Sequence, residues 1–486
     1  MTSHNGQMLV VDGRNLTCAD VALVAENQDV RVQVDPDAMR RAEEAWKLVP
    51  ELVARRPVYG RTTGVGANRE EQVDAAEAAE HGRRLMRSHA GGTGEEMNPE
   101  LVRAMLLVRL NQLAAGRSGV HPRLLTALAE ALTVGAIPRV HRTGAIGTGD
   151  LTALADTGLT LAGERPWASG SLPHVPFDPG DALAFQSSNA ATIAEAVLAC
   201  LDLGRLLRAS HAVAALSYIA LDGSPEAYST VVHAARPHPG QVACAAEMRR
   251  LLGMLGVPKA GSRLQDPYGL RAFPQVQGPA LDAYRYLLDV LTIEINASTE
   301  NPMVSVEAQE IFHHAHFHTA YVAVALDSLR ATVHHVAELS AARLGDLVEP
   351  TLTGLPAFLA TGPHGSSGVM ILEYVAHDAL AQLRQAALPV TIGTAVVSRG
   401  LEDHASFATQ AARQARHVAT AYRYVLACEL VAATRALRMR RASLLDLPIR
   451  AAFEQASEVL DPDLADRPLS DDIDRAAYVL DSLAEV

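Results

Sequence analysis

The 486-residue chain is 49% hydrophobic, enough to bury a large core, which argues against intrinsic disorder. A formal net charge of -13 without long basic runs argues against a nucleic-acid or anionic-membrane partner, because phosphate binding draws on clustered Lys and Arg. Aromatic residues are only 4% of the chain, and recurrent Ala, Leu and Arg favour helix over strand, so an all-α fold is predicted.

At the N-terminus no basic region precedes an apolar run, and nowhere do about twenty apolar residues stand together, so no membrane insertion is expected. Cys18, Cys200, Cys244 and Cys428 are too scattered for a zinc or redox motif, which suits a cytoplasmic protein with reduced thiols. Residues 58–66 read VYGRTTGVG, and the three glycines Gly60, Gly64 and Gly66 make a tight turn with Tyr59 at its root. Taken alone, this loop reads as a turn with a packed tyrosine; a lowered pKa would let Tyr59 act as a general base. Val102, Met105, Leu106, Leu110 and Leu113 share one helical face. Residues 141–150, 262–278 and 300–319 are rich in Gly, Pro and small polar residues, and loops of this kind on a rigid helical frame commonly carry chemistry. Val322, Leu326, Leu329, Val333 and Val336 step by four, three, four and three, a short coiled-coil-like seam. Between Asp403 and Arg441 there is neither Pro nor Gly, so a single helix of roughly 38 residues is predicted, a rod suited to packing against other subunits. No repeat or linker divides the chain, and one domain over residues 1–486 is expected.

Seven segments in this order resemble the aromatic amino acid lyase superfamily, that is, histidine ammonia-lyase and its phenylalanine and tyrosine relatives. VYGRTTGVG is similar to the family's inner catalytic loop, and RSHAGGTG (87–94) to the loop that meets the substrate side chain. VRAMLLVRLNQLAAGRSGV (102–120) resembles the helix that follows. QDPYGLRAFPQVQG (265–278), EINASTENP (294–302), LEDHASF (401–407) and RPLSDDI (467–473) are near matches to the remaining signatures. The resemblance implies a homotetramer of long helices whose active sites are shared between subunits. It also implies roles: Tyr59 as catalytic base, Tyr268 as a second active-site tyrosine, Arg271 as the clamp on a substrate carboxylate, Phe317 as a pocket aromatic and Glu402 as an acid near the amine. A guanidinium suits the clamp because it binds carboxylate through two parallel hydrogen bonds. At the position of His89 the family carries apolar residues for phenylalanine and His for tyrosine or histidine, and a His there can hydrogen-bond a phenol or an imidazole.

Several positions depart from the family pattern. Family members cyclise an Ala-Ser-Gly tripeptide into an electrophilic methylidene-imidazolone, and their GSVGASGDL stands here as GAIGTGDL (144–151), one residue shorter, with Thr148 for Ser. Ser187 replaces an Asn unless Asn189 has shifted in, His316 replaces another Asn, and Glu373 stands for a Gln. Because cyclisation depends on near-attack geometry in a strained turn, the deletion predicts that no cofactor forms. The leading expectation is therefore an enzyme without the imidazolone, performing elimination, addition or isomerisation on a small amino-acid-like substrate. An ammonia-lyase or aminomutase using an imidazolone derived from Gly147, Thr148 and Gly149 is one alternative, and an inactive scaffold is another. His313, His314, His316 and His318 are dense, but they align with a family segment that binds no metal, so a polar pocket wall is expected and no metal site.

Overall fold

Helical periodicity resolves into unusually long helices, among them Ala190–Ala220, Phe273–Ile295, Ala320–Val348 and Ala408–Arg440. The computed structural model describes residues 7–258, 260–442 and 444–486. Among these, strands are confined to four two-stranded ribbons: Met8–Val11 with Arg31–Val34 in parallel, and Thr93–Glu96 with His141–Thr143, Ile137–Pro138 with Trp167–Ser169 and Met303–Ser305 with Glu310–Phe312 antiparallel. The mainly helical architecture expected from composition is the one observed.

Where a single domain is expected from the sequence, the chain packs as two compact units, each assembled from three stretches. Residues 1–198, 288–326 and 389–413 form the first, and 199–287, 327–388 and 414–486 form the second. The four long helices each span a boundary between these stretches, which is how a chain without linkers divides in two. Val322, Leu326, Leu329, Val333 and Val336 are all fully buried, each worth about 1.5–3 kcal/mol of transfer free energy. The four cysteines are buried and form no disulfide, and no helix is long and apolar enough to cross a membrane among the described residues.

In the second unit, Arg343 and Glu429 form a fully buried ion pair, with Nε to Oε1 at 2.6 Å and Nη2 to Oε2 at 2.8 Å. Ser217 and Ser340 hydroxyls also donate to Glu429, so both carboxylate oxygens are satisfied and three helices are tied at one point.

In the first unit the helix Pro99–Ala114 starts from an Asn98 cap, whose side chain accepts from the Leu101 amide at 2.9 Å, with Pro99 at its first position. The apolar stripe predicts a one-faced helix, yet every residue from Leu101 to Ala114 is buried. Its polar members therefore need partners, and they find them. Arg103 donates to the Val24 and Leu132 carbonyls, and Asn111 donates to the Ile295 carbonyl and accepts from the Gly13 amide. Arg109 donates through Nε to the Phe185 carbonyl at 3.0 Å, through Nη2 to the Ala184 carbonyl at 2.6 Å and through Nη1 to Glu300 Oε1 at 2.9 Å. This one guanidinium ties the helix to the short helix Asp181–Gln186 and to the 299–301 segment.

Burial pushes Glu300 up and Arg109 down, and each partner opposes the other's shift without cancelling it. The pair thus positions more than it stabilises, whereas removing one partner leaves the other charge uncompensated. Arg109→Met should lower the unfolding free energy by about 3–5 kcal/mol in urea titrations, and adding Glu300→Leu should recover part of that loss. A loss below about 1 kcal/mol in the single variant would show that the pair is not confined as described.

Candidate active site

The long helix Ala408–Arg440 starts five residues later than its composition predicts, and the reason lies in the site. Its first turn and the segment before it grip the loop at residues 145–147 by three successive carbonyls. Gln410 Nε2 donates to the Ala145 carbonyl at 3.0 Å, the Phe407 amide to that of Ile146 at 2.9 Å, and Ser406 Oγ to that of Gly147 at 2.8 Å. Phe407 adopts a left-handed φ of 54° to do so, a conformation costing a side-chain-bearing residue about 1–2 kcal/mol. Thr319 Oγ1 also donates to the Gly147 carbonyl, at 2.9 Å, and the Gly149 amide donates to Asn189 Oδ1 at 2.9 Å.

This clamped loop forms part of a cavity of about 520 Å³ in the first unit. Tyr59, His89, Thr148, Ser187, Phe317 and Glu402 all face it, so residues from six separate stretches of sequence are brought to one place. Gly149 lines it as well, and Gly147 lies buried just behind. Asn189 does not line the cavity; besides holding Gly149 it donates through Nδ2 to the Phe317 carbonyl, so it supports two walls from behind. Ser187 accepts from the Asn301 amide at 3.0 Å, which joins the short helix Asp181–Gln186 to the 299–301 segment at the cavity edge.

Tyr59 Oη accepts from the Gly66 amide at 2.7 Å. Gly66 adopts a φ of 57°, and a Cβ there would sit 2.3 Å from Ser398 Oγ, so both backbone shape and space require glycine. The lowered pKa that would suit a base is not what the chain alone supplies. Burial pushes the Tyr59 phenol up, the Gly66 amide and Arg69 pull it down, and the Glu402 carboxylate adds to the upward push.

Burial lowers the pKa of His89, whose Nδ1 lies 3.1 Å from Gln186 Oε1. Because the Gln186 amide nitrogen donates to the Ala182 carbonyl at 3.0 Å, its oxygen is the atom presented to His89. His89 Nδ1 must then carry the hydrogen, which leaves Nε2 as an acceptor.

His316 lies elsewhere. Alternation along an extended segment would align it with His314 and His318, but residues 316–317 form a turn, and His316 lines a second cavity together with Arg14, Arg41 and Arg117. The histidine cluster divides: His313 Nε2 accepts from the Tyr59 amide, the His314 and His316 rings stay together at 4.4 Å, and His318 Nε2 meets His404 Nδ1 at 2.9 Å. His318 and His404 both line the first cavity, and of these His404 carries no role in the sequence reading although it stands in LEDHASF. Ser406 and Thr319 were equally hidden there, since each reads as an ordinary helix start.

Tyr268, Arg271 and Glu373 belong to the second unit and do not line this cavity. Tyr268 is 66% exposed, the Arg271 guanidinium lies 4.4 Å over its ring, and Arg271 Nε donates to the Asp266 carbonyl at 2.8 Å. Glu373 is half-buried in the first turn of the helix Ile371–Ala386.

Residues 16–458 match the family model described as aromatic amino acid lyase. The chain belongs to the aromatic amino acid lyase family. It is 36% identical over 485 residues to a histidine ammonia-lyase of Symbiobacterium thermophilum, covering 96% of each chain. Among solved structures it is similar to the ergothionase of Treponema denticola (TM-score 0.90, 27% identity, 98% and 99% of the two chains) and to a tyrosine aminomutase of Streptomyces globisporus (TM-score 0.89, 28% identity, 98% and 97%). As an aromatic amino acid lyase family member the protein is a carbon–nitrogen lyase, not a silent scaffold.

Membership also overturns the expectation of a cofactor-free site, since the family forms its imidazolone autocatalytically and the relatives stand at 33–36% identity. The physical error lay in treating the deletion as a loss of geometry. The shortened loop turns at Gly147 (φ 84°) and Gly149 (φ 118°), and a Cβ at 147 would meet Ser406 Oγ at 2.1 Å, which accounts for Gly where the family has Ala. Glycine lets the shorter loop keep its tripeptide against the cavity, with Gly147 and Gly149 each held by buried partners. The residues present therefore fit the group.

Asp150 follows this tripeptide, is fully buried and accepts from Thr192 N and Oγ1 at 2.7 and 2.8 Å. Burial lifts its carboxyl from 3.8 to about 6 in spite of those bonds. A folded-state value above the unfolded one means that the associated stability is complete below pH 3.8 and is lost as pH rises through 6, by about 3 kcal/mol in all. The denaturation midpoint of Asp150→Asn should accordingly fall less between pH 4 and 7 than that of the unaltered protein. An identical fall in both proteins would show that Asp150 does not titrate in the buried state.

Proposed function

We propose that this protein is an ammonia-lyase or aminomutase acting on histidine or an aromatic amino acid, with an imidazolone derived from Gly147, Thr148 and Gly149. The observation that carries this reading is the shared cavity, in which Thr148 stands with Tyr59, His89 and Glu402. Such a group, once formed, supplies an electrophile that turns the substrate's amine into a leaving group.

The chain's own residues do the rest. Tyr59 removes the proton from the carbon next to the departing amine, and the electron pair of that C–H bond becomes the new double bond as ammonia leaves. Its oxygen must first be deprotonated, and the Gly66 amide at 2.7 Å stabilises the phenolate. Burial and Glu402 oppose that ionisation, so added positive charge is needed, and Arg271 of a neighbouring subunit provides it while binding the substrate carboxylate. Tyr268 and Glu373 arrive with it. His89 Nε2 accepts a hydrogen bond from the imidazole N–H or phenol O–H of the substrate side chain, which favours those side chains over phenyl. Phe317 packs against the side-chain ring.

The active form is a homotetramer. Tyr268, Arg271 and Glu373 complete a site only when another copy supplies them, and Tyr321, Ile371 and Tyr374 leave large apolar side chains exposed on the separate chain. Light scattering should report about four chains per particle. A monomer at micromolar concentration would contradict the shared site.

With histidine, tyrosine or phenylalanine as substrate, release of ammonia should accompany formation of a conjugated acid that absorbs in the near ultraviolet. Tyr59→Phe should lower kcat by about 10²- to 10⁴-fold while leaving helical content and particle size unchanged. Full activity in that variant would remove Tyr59 from the reaction.

A further inference from the structure

The Gly147 carbonyl oxygen is the convergence point of two buried hydroxyls, Ser406 Oγ at 2.8 Å and Thr319 Oγ1 at 2.9 Å, joined by the Thr319 amide at 3.3 Å. A peptide oxygen in a loop needs one donor, or two if both lone pairs are used. Three converge here, from two segments 87 positions apart in sequence whose hydroxyls lie 3.4 Å from each other. Two residues further on, the Gly149 amide is aimed at Asn189 Oδ1, whose own amide is fixed on the Phe317 carbonyl. Holding a loop in place would not require donors concentrated on one carbonyl and an acceptor on the nitrogen two residues later.

We infer that Ser406 and Thr319 form an oxyanion hole for the chain's own ring closure and that Asn189 orients the attacking nitrogen. This inference rests on the reading that the tripeptide cyclises. The Gly149 nitrogen attacks the Gly147 carbonyl carbon, and a carbon–nitrogen bond forms as negative charge gathers on the Gly147 oxygen. The two hydroxyls stabilise that charge where it develops. The oxygen departs as water with the hydrogens of the Gly149 and Thr148 nitrogens, leaving a carbon–nitrogen double bond. A second water takes the Thr148 hydroxyl and its Cα hydrogen, leaving a carbon–carbon double bond whose outer carbon bears the threonine methyl. Atoms balance at two waters lost, with no oxidant or reductant. Asn189 accepts from the Gly149 N–H, which points the nitrogen and raises its electron density. These three are positioning residues, since none needs to touch the substrate.

Intact-mass spectrometry with peptide mapping reads the outcome directly. The unaltered protein should weigh two waters less than its sequence, with the deficit in residues 144–151. In Ser406→Ala combined with Thr319→Val the loss should slow by about 10²- to 10³-fold, so that freshly purified protein carries the full mass and loses water over time. The conservative pair Ser406→Thr and Thr319→Ser should restore most of the rate, with circular dichroism and elution volume the same in all three. If the double variant folds and is dehydrated as fast as the unaltered protein, the oxyanion hole is overturned while the tripeptide reading stands. If the unaltered protein carries its full mass, both are overturned. Should the double variant fail to fold, Asn189→Leu gives the same test at the attacking nitrogen, with slow water loss expected and an unchanged rate contradicting its role.

Discussion

A fully buried guanidinium, Arg109, sets the frame on which the cavity depends. It occupies the middle of a helix with no exposed face and spends its donors on the Ala184 and Phe185 carbonyls and on Glu300. Ser187 follows directly from the first of these segments and Asn301 from the second, and the two meet at 3.0 Å on the cavity edge. Burial of both charges is unfavourable by itself, as the opposed shifts of Arg109 and Glu300 indicate, so the pair serves geometry before stability. A hydrophobic replacement of similar volume would pack, but it would leave the carbonyls of residues 184 and 185 without donors and free the segment that carries Ser187.

The clamp on residues 145–147 shows a second constraint acting on the same region. Helix propensity would carry the helix back to Asp403, yet residues 404–407 remain outside it, with Ser406 Oγ and the Phe407 amide committed to the loop carbonyls and the Ala405 amide to Thr394 Oγ1. Local preference yields to tertiary hydrogen bonds, and the left-handed Phe407 marks the point of conflict. The same balance explains Gly147, where a tighter loop leaves no room for the family's methyl group beside Ser406.

Much of this was legible in the residues. The loops at 58–66, 141–150 and 300–319, recognisable from Gly and small polar residues, each deliver a wall of the cavity, with Tyr59, Thr148 and Phe317 respectively. His89, Ser187 and Glu402 stand there too. Legibility failed where a residue's role depends on a partner far away in sequence. Thr319 and Ser406 look like ordinary residues at helix starts, and only the fold brings them to the tripeptide. His316 failed for a local reason, because the two-residue alternation of an extended chain does not survive the turn at 316–317. The shortened GAIGTGDL misled in the opposite direction: a deletion reads as lost geometry, although glycine at both flanks of Thr148 lets the shorter loop turn and keep Thr148 on the cavity.

The central claim is that this shortened loop still builds the electrophile of its family. A crystal structure resolving the chain at residues 147–149 tests it most directly, since ring closure and dehydration add a bond and flatten Cα and Cβ of residue 148. The account predicts a planar Cα at residue 148, a covalent bond from the Gly149 nitrogen to the Gly147 carbon, and no hydroxyl on residue 148. An open peptide with a tetrahedral Thr148 would contradict it.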